Sequence, residues 1–401
     1  MDGRCERERM QRREWLALAG LACCAFVMNT SEFMPIGLLV DIAADFSLTE
    51  AQAGAVVTIY AWAVALLSIP LMVALSRFSP TRLLLGVIAL FCAGQVASAV
   101  APTFALLVVG RLLVAAAHAV FWSIVSPVAV RIVDPKHSGA AIATVAVGSS
   151  IAMVCGLPIG RIIGLVIGWR MTFICVAAVS AALLVFLAVV LPRMSVGEPF
   201  SAKALPSLFK HPPLLGIYLV TALYATGQFT CYSYIEPFLQ QVAGFSDGAI
   251  TLALALYGAA GLIGSAVFSR VYNRARFSFM RAAVLGVAAM MAVLLPLAGS
   301  SVATIAVCCA WGACYTAYNV AFQAEVINNA PEGSTMVAMS AYSGIFNVGI
   351  GAGTWVGGMT VAGGAIYDVG LVGAAIGAAA GVVCALQLVR AIRREEGRFT
   401  V

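Results

Sequence analysis

The chain has 401 residues, 62% of them hydrophobic and only 10% charged, with a formal net charge of +6. Soluble domains carry about 25% charged residues, so a chain this long and this apolar is read as a membrane protein, not as one built around a water-soluble core. The positive balance does not point to nucleic acid, because the basic residues fall in short segments between apolar runs and form no single patch.

The first fourteen residues are charged, and the run after them lacks a small-residue cleavage site, which predicts an uncleaved first span. Apolar runs of about 20 residues, enough to cross a bilayer, fall near 15–40, 51–75, 83–101, 104–127, 139–167 and 171–192. After a polar stretch they resume near 213–239, 248–269, 280–299, 302–325, 335–361 and 369–390. The expected fold is therefore an all-α membrane protein with twelve transmembrane helices. Its expected parts are an N-terminal six-span half (1–192), a cytoplasmic linker (193–213) and a C-terminal six-span half (214–401).

Orientation follows from Lys and Arg. The N-terminal tail, alternate loops and the C-terminal tail hold 20 of the 23 basic residues, among them Arg4, Arg7, Arg9, Arg77, Lys136, Lys203, Arg276 and Arg394. The opposite loops hold Asp41, Asp45, Glu50, Asp247 and Asp368, with Arg170 as their clear basic residue. The positive-inside rule then places both termini in the cytoplasm. The halves also echo each other: Asp45-Phe46-Ser47 corresponds to Gly244-Phe245-Ser246, Leu75-Ser76-Arg77-Phe78 to Phe268-Ser269-Arg270-Val271, and Asp134-Pro135 with Ser138 to Ala330-Pro331 with Ser334. A duplicated six-span unit accounts for these matches.

Within the first span, Glu32 sits in a run where a carboxylate is expensive, roughly 2.5–3.5 kcal/mol at mid-span. Asn29 lies three residues earlier on the same helical face, and Pro35 loosens the hydrogen-bond ladder just beyond. The bland alternative makes Glu32 an anchor at the membrane edge. Span 4 carries Arg111, His118 and Trp122 on one stripe. Against a functional reading stands a snorkelling Arg111 and a packing His118. Span 5 holds Gly156, Pro158 and Gly160, read as a close-packing ridge and hinge, with Arg161 beside them as an end charge or a partner for an acid. Span 7 carries Gln228, Tyr232, Tyr234 and Glu236, span 10 carries Trp311, Tyr315, Tyr318 and Asn319, and span 11 carries Asn347. Aromatic faces and amides of this kind bind sugars or flat drugs; an interfacial belt is the alternative for Tyr232, Tyr234 and Glu236. Tyr60 in span 2 is a similar candidate.

Ten of the eleven cysteines lie inside apolar runs, with no CxxC pair or metal spacing, so a packing role is expected and neither metal nor cofactor. There is no P-loop and no HExxH, which argues against an ATP-driven pump or a metallohydrolase; no enzymatic activity is expected.

Taken together, Asn29-Thr30-Ser31-Glu32-Phe33, Thr58-Ile59-Tyr60-Ala61-Trp62, His118-Ala119-Val120-Phe121-Trp122-Ser123-Ile124, Gly156-Leu157-Pro158-Ile159-Gly160-Arg161, Gly168-Trp169-Arg170-Met171-Thr172-Phe173, Tyr232-Ser233-Tyr234-Ile235-Glu236-Pro237-Phe238 and Ser343-Gly344-Ile345-Phe346-Asn347 resemble the major facilitator superfamily. More narrowly, they resemble the bacterial sugar efflux transporters of its drug:proton antiporter branch. The resemblance implies export of sugars or sugar-like compounds from the cytoplasm, driven by inward proton flow; the expected working form is a monomer in a bacterial inner membrane that alternates access. Arg111 sits where the superfamily's span-4 motif places its arginine, and Gly156 to Gly160 resembles the span-5 antiport motif. One departure stands out: the loop Ser76-Arg77-Phe78-Ser79-Pro80-Thr81-Arg82 lacks the family's acid. On this reading Glu32 carries the proton and Arg111 sets how readily it does so. Asn29, Tyr60, His118, Trp122, Gln228, Tyr232, Glu236, Tyr315, Asn319 and Asn347 face the solute. Export of drugs or nucleosides, or a solute sensor that moves nothing, are the alternatives.

Overall fold

A computed structural model of the chain describes residues 10–75, 77–134, 137–195, 205–331 and 335–399. Arg4, Arg7, Arg9, Ser76, Pro135, Lys136, Lys203, Ser334 and residues 196–204 of the expected linker lie outside the described residues. Helix follows helix with no strand among the described residues: α1 (Arg12–Phe33), α2 (Leu39–Asp45), α3 (Glu50–Leu75), α4 (Pro80–Ala99), α5 (Phe104–Ile132), α6 (Ser138–Ile167), α7 (Trp169–Val190) and the short turn α8 (Leu205–Leu208). Then come α9 (Pro212–Tyr232), α10 (Ile235–Gln241), α11 (Asp247–Leu297), α12 (Ser301–Asn329), α13 (Thr335–Ala362), α14 (Val369–Val383) and α15 (Val389–Phe399).

The apolar runs become helices because a backbone in hydrocarbon must satisfy its own polar groups. Polar residues at the joints end them. The side chains of Ser246 and Ser300 accept from the backbone N–H three residues on, capping α11 and α12. Gly168, Gly244 and Gly364 turn the chain with φ of +92°, +66° and +76°, a region that side-chain-bearing residues avoid.

Eleven of the resulting helical stretches are long and apolar enough to cross a membrane among the described residues, not twelve. The difference lies in α11, where the runs near 248–269 and 280–299 form one hydrogen-bonded helix of 51 residues. The charged corner between them, Arg270 to Phe279, contains no Gly or Pro to end the helix, so it merely kinks at Ala275 (φ −140°, ψ 43°).

Packing is close wherever glycines replace side chains. Along α6, Gly148, Gly156, Gly160 and Gly164 lie against Ala22, Thr30, Met34 and Leu38 of the first span. Along α13, Gly349, Gly353 and Gly357 lie against Ala222, Thr226 and Thr230 of α9 in the same manner. Two of these contacts recur at a separation of about 200 residues: Gly148 on Ala22 with Gly349 on Ala222, and Gly156 on Thr30 with Gly357 on Thr230.

Both the first span and the α9–α10 span are broken at equivalent places. After Phe33 the chain runs as a 3-10 turn, Met34–Leu38, before α2 resumes; after Tyr232 it breaks at Ser233 and Tyr234 before α10. Pro35 and Pro237, each without an N–H to continue the ladder, sit just inside the new segments.

One end of the bundle carries Asp41, Asp45, Glu50, Asp247 and Asp368; the other carries Arg77, Arg82, Arg131, Arg193, Arg274, Arg276 and Arg394. They are called the acidic and basic ends below. Helices before residue 191 meet those after 205 chiefly through α3 on α13, α6 on α11, and α10 on α2 and the 3-10 turn.

Candidate functional site

Pro35 leaves the carbonyl of Ser31, four residues back, without its helical donor. Arg111 of α5 fills the vacancy: its Nη2 donates to Ser31 O at 2.9 Å and its Nη1 to Ser31 Oγ at 3.1 Å. Gln95 of α4 donates to the same hydroxyl. The guanidinium lies 4.4 Å from the ring centroid of Tyr60 and 5.8 Å from that of Phe173, an arrangement that stabilises a desolvated cation by about 2 kcal/mol. Arg111 is therefore wholly inside the bundle, at 2% exposure, and does not snorkel.

Glu32, the next residue, does not take Arg111 as an ion-pair partner. Its carboxylate lies 3.6 Å from Nε2 of His118, a residue one turn along α5 from Trp122 and two turns from Arg111. The His118 ring meets Tyr60 edge-on at 5.8 Å and Trp122 at 6.0 Å. The sequence stripe thus divides its work: Arg111 grips the backbone beside the acid, and His118 faces the acid itself. Asn29 goes elsewhere, donating to Ser149 on α6.

Across from these residues stands an aromatic wall. Gln228, fully buried, donates to Tyr257 Oη at 3.1 Å and accepts from Trp311 Nε1 at 2.7 Å. Tyr232 stacks on Tyr257 with ring centroids 4.9 Å apart, and Tyr257 neighbours Tyr315 at 6.2 Å. Tyr315 lies near Glu32. Asn319 donates back to Tyr315 O, and Asn347 to Ser343 O, both at 3.0 Å. Asn347 Oδ1, buried, has no hydrogen-bond partner; neither has Tyr60 Oη nor His118 Nδ1. Phe33, stacked on Phe229 at 6.2 Å, bridges the two sides. Phe33, Phe229, Phe346, Tyr257, Ser31 and Gln95 were not singled out from the sequence. Gln95 carried a usable signal, as an amide inside an apolar run; the phenylalanines carried none, being ordinary membrane residues.

Glu236 lies neither in this wall nor in an interfacial belt. It is 2% exposed at the acidic end, where it pairs with Arg161 of α6 and accepts from Leu39 N at 2.9 Å. Arg161 also donates to Gly37 O at 2.8 Å and to Asp247 at 2.9 Å. Above them Tyr234 fits the notch left by Gly54 and Gly358 and donates to Thr354 O at 3.1 Å. Gly156, Pro158 and Gly160 support this region from α6, where the proline is absorbed inside a continuous helix.

At the basic end an ion pair joins two of the later helices. Glu325, fully buried in α12, accepts from Arg276 Nε and Nη2 and from Tyr272 Oη, each at 2.5 Å, which fastens the kinked corner of α11. Two apolar clefts, about 400 and 320 Å³, lie on the flanks between α11 and α12 and among α3, α4 and α5, away from Glu32.

The geometry provides a buried carboxylate beside an imidazole and near an aromatic wall, with a buried ion pair, Arg161 with Glu236, at the acidic end. The sequence matches the Major Facilitator Superfamily over residues 21–354. In three dimensions the chain is similar to a bacterial homologue of the human lysosomal transporter Spinster, solved inward-facing and unoccupied. That likeness has 18% identity and a TM-score of 0.71, and covers 95% of this chain and 93% of that one. It is also similar to a mutant of the peptide transporter POT in complex with alafosfalin, at 14% identity, 94% coverage of both chains and a TM-score of 0.75.

Proposed function

Since the chain belongs to the Major Facilitator Superfamily, and is thus a multi-pass membrane transporter and not an enzyme, we propose that it exports sugars or sugar-like small molecules from the cytoplasm in exchange for protons. The observation that carries this reading is Glu32, a carboxylate 10% exposed, set against His118 on one side and the Tyr315 wall on the other. A titratable group deep in a membrane bundle belongs by default to a proton or solute pathway. The unpartnered Asn347 Oδ1, Tyr60 Oη and His118 Nδ1 offer hydrogen bonds, and the rings offer faces for the C–H side of a sugar.

The working molecule has twelve spans in two halves, 1–192 and 214–401, joined by the 193–213 linker. A 51-residue helix is about 76 Å long while the hydrocarbon core is about 30 Å thick, so α11 crosses twice, turning at Ala275. The matched glycine tracks and the matched proline breaks support the duplication. The basic end faces the cytoplasm of a bacterial inner membrane by the positive-inside rule, which makes the latched acidic end the outer one. The halves rock about the Glu32 site between them. The protein works as a monomer, without metal or cofactor.

The number of phenylalanines around the site, Phe33, Phe229 and Phe346, favours one second reading, export of flat amphipathic drugs or nucleosides. Proteoliposomes separate the two. An acid-inside pH gradient is expected to drive uptake of a labelled arabinose-like sugar or lactose analogue, with none when the gradient is collapsed. Uptake of hydrophobic cations with no sugar flux selects the drug reading, and gradient-independent silence toward both classes contradicts proton-coupled export.

A further inference from the structure

We propose that Arg161 and Glu236 are positioning residues for Glu32, acting through the Pro35 break in the first span. The inference rests on the reading of Glu32 as the proton site. A broken helix inside a bilayer exposes backbone groups that hydrocarbon cannot satisfy, and here buried charges take them up on both sides of the break. On the near side, the Ser31 carbonyl freed by Pro35 is held by Arg111 at 2.9 Å. On the far side, the Gly37 carbonyl accepts from Arg161 at 2.8 Å, and the Leu39 N–H donates to Glu236 at 2.9 Å. Glu32 is the residue next to Ser31, so the segment it belongs to is clamped at one end by α5 and at the other by an ion pair formed between α6 and α10.

That ion pair spans the two groups of helices that meet at the acidic end. Any opening there that draws α10 away from α6 removes the acceptor from Leu39 N–H and unbalances the Arg161 hold on Gly37. The 3-10 turn Met34–Leu38 then has to wind toward a regular helix or shift, and Ser31 and Glu32 move with it relative to α5. The latch and the proton site are therefore one mechanical unit. The groups facing Glu32 are Arg111 and His118 from α5, Tyr60 from α3 and Tyr315 from α12. Those facing the latch are Asp247 from α11 and Asp41 from α2. Neither acid at the latch reaches Glu32 except through the broken segment.

The test needs no solute. Dicyclohexylcarbodiimide modifies carboxyls in their protonated form, so its reaction with Glu32, read by peptide mass spectrometry on the full-length protein in detergent across a pH series, gives a labelling midpoint. Glu236→Gln is expected to shift the Glu32 midpoint by about one pH unit, the size of effect a changed charge environment produces. The shift is expected to vanish when Pro35→Ala restores the ladder in the same chain. If Glu236→Gln does not fold, Asp247→Asn, whose side chain is 57% exposed, loosens the same arginine and is expected to give a smaller shift. An unchanged midpoint in either variant overturns the link, as does an equal shift with and without Pro35, while leaving Glu32 titratable. A wild-type Glu32 that is never labelled at any pH overturns the proton-site reading and the link with it.

Discussion

Gln228 and Asn347 are both buried amides, yet they differ in whether their polar atoms are already engaged. Gln228 gives and receives within the wall, to Tyr257 and from Trp311, whereas Asn347 keeps Oδ1 without a partner. A buried acceptor left open costs about 1–3 kcal/mol, and a solute hydroxyl recovers it. Asn347→Ala and Tyr315→Ala are therefore expected to weaken solute binding about five- to hundredfold while the purified protein melts near the wild-type temperature. Gln228→Ala is expected to do the reverse chiefly, lowering the melting temperature because Trp311 Nε1 and Tyr257 Oη lose their partner. Binding titrations paired with thermal melts in detergent check both; equal behaviour of the three variants would remove the distinction. At this scale the sequence was informative about which residues are chemically unusual, and much less about their partners. The spacing of Arg111, His118 and Trp122 correctly puts them on one helix, but whether the arginine reaches Glu32 or the Ser31 carbonyl depends on how α1 breaks. Arg161 and Glu236 lie 75 residues apart, and only the meeting of α6 with α10 pairs them.

Among elements, the glycine tracks decide where α1 can sit. A Cβ on Gly156 would come within 2.5 Å of Thr30 Oγ1 and 3.1 Å of its Cα, while one on Gly86 would meet nothing within 4 Å. Overfilling a close helix contact costs about 1–3 kcal/mol. Gly156→Leu and its counterpart Gly357→Leu are thus expected to lower the thermal midpoint clearly, and Gly86→Leu to leave it unchanged. Equal effects at all three positions would mean that the tracks carry no special contact. The ridge of Gly156, Gly160 and Gly164 was visible in the sequence as a four-residue rhythm; its partner was not, because a small-residue stripe fits any helix that approaches it. The merging of two runs into α11 was also hidden, since hydropathy marks the charged corner but does not say whether a helix stops there.

At the scale of the molecule, on the proposed alternating-access reading, the Arg161–Glu236 pair at the acidic end and the Arg276–Glu325 pair at the basic end belong to one of two access states, with the Glu32 carboxylate as the group they serve. The overall class was plain from composition and run length, because a bilayer imposes its thickness on every span. The branch and solute are matters of a few side chains and stay with experiment. The central claim is that Glu32 is the group whose protonation is exchanged for solute. Glu32→Gln keeps the shape of the side chain and removes its titration. In one batch of proteoliposomes it is expected to retain solute counterflow, which needs only alternating access, and to lose uphill uptake driven by an acid-inside gradient. Gradient-driven uptake by Glu32→Gln at the wild-type rate would contradict the account.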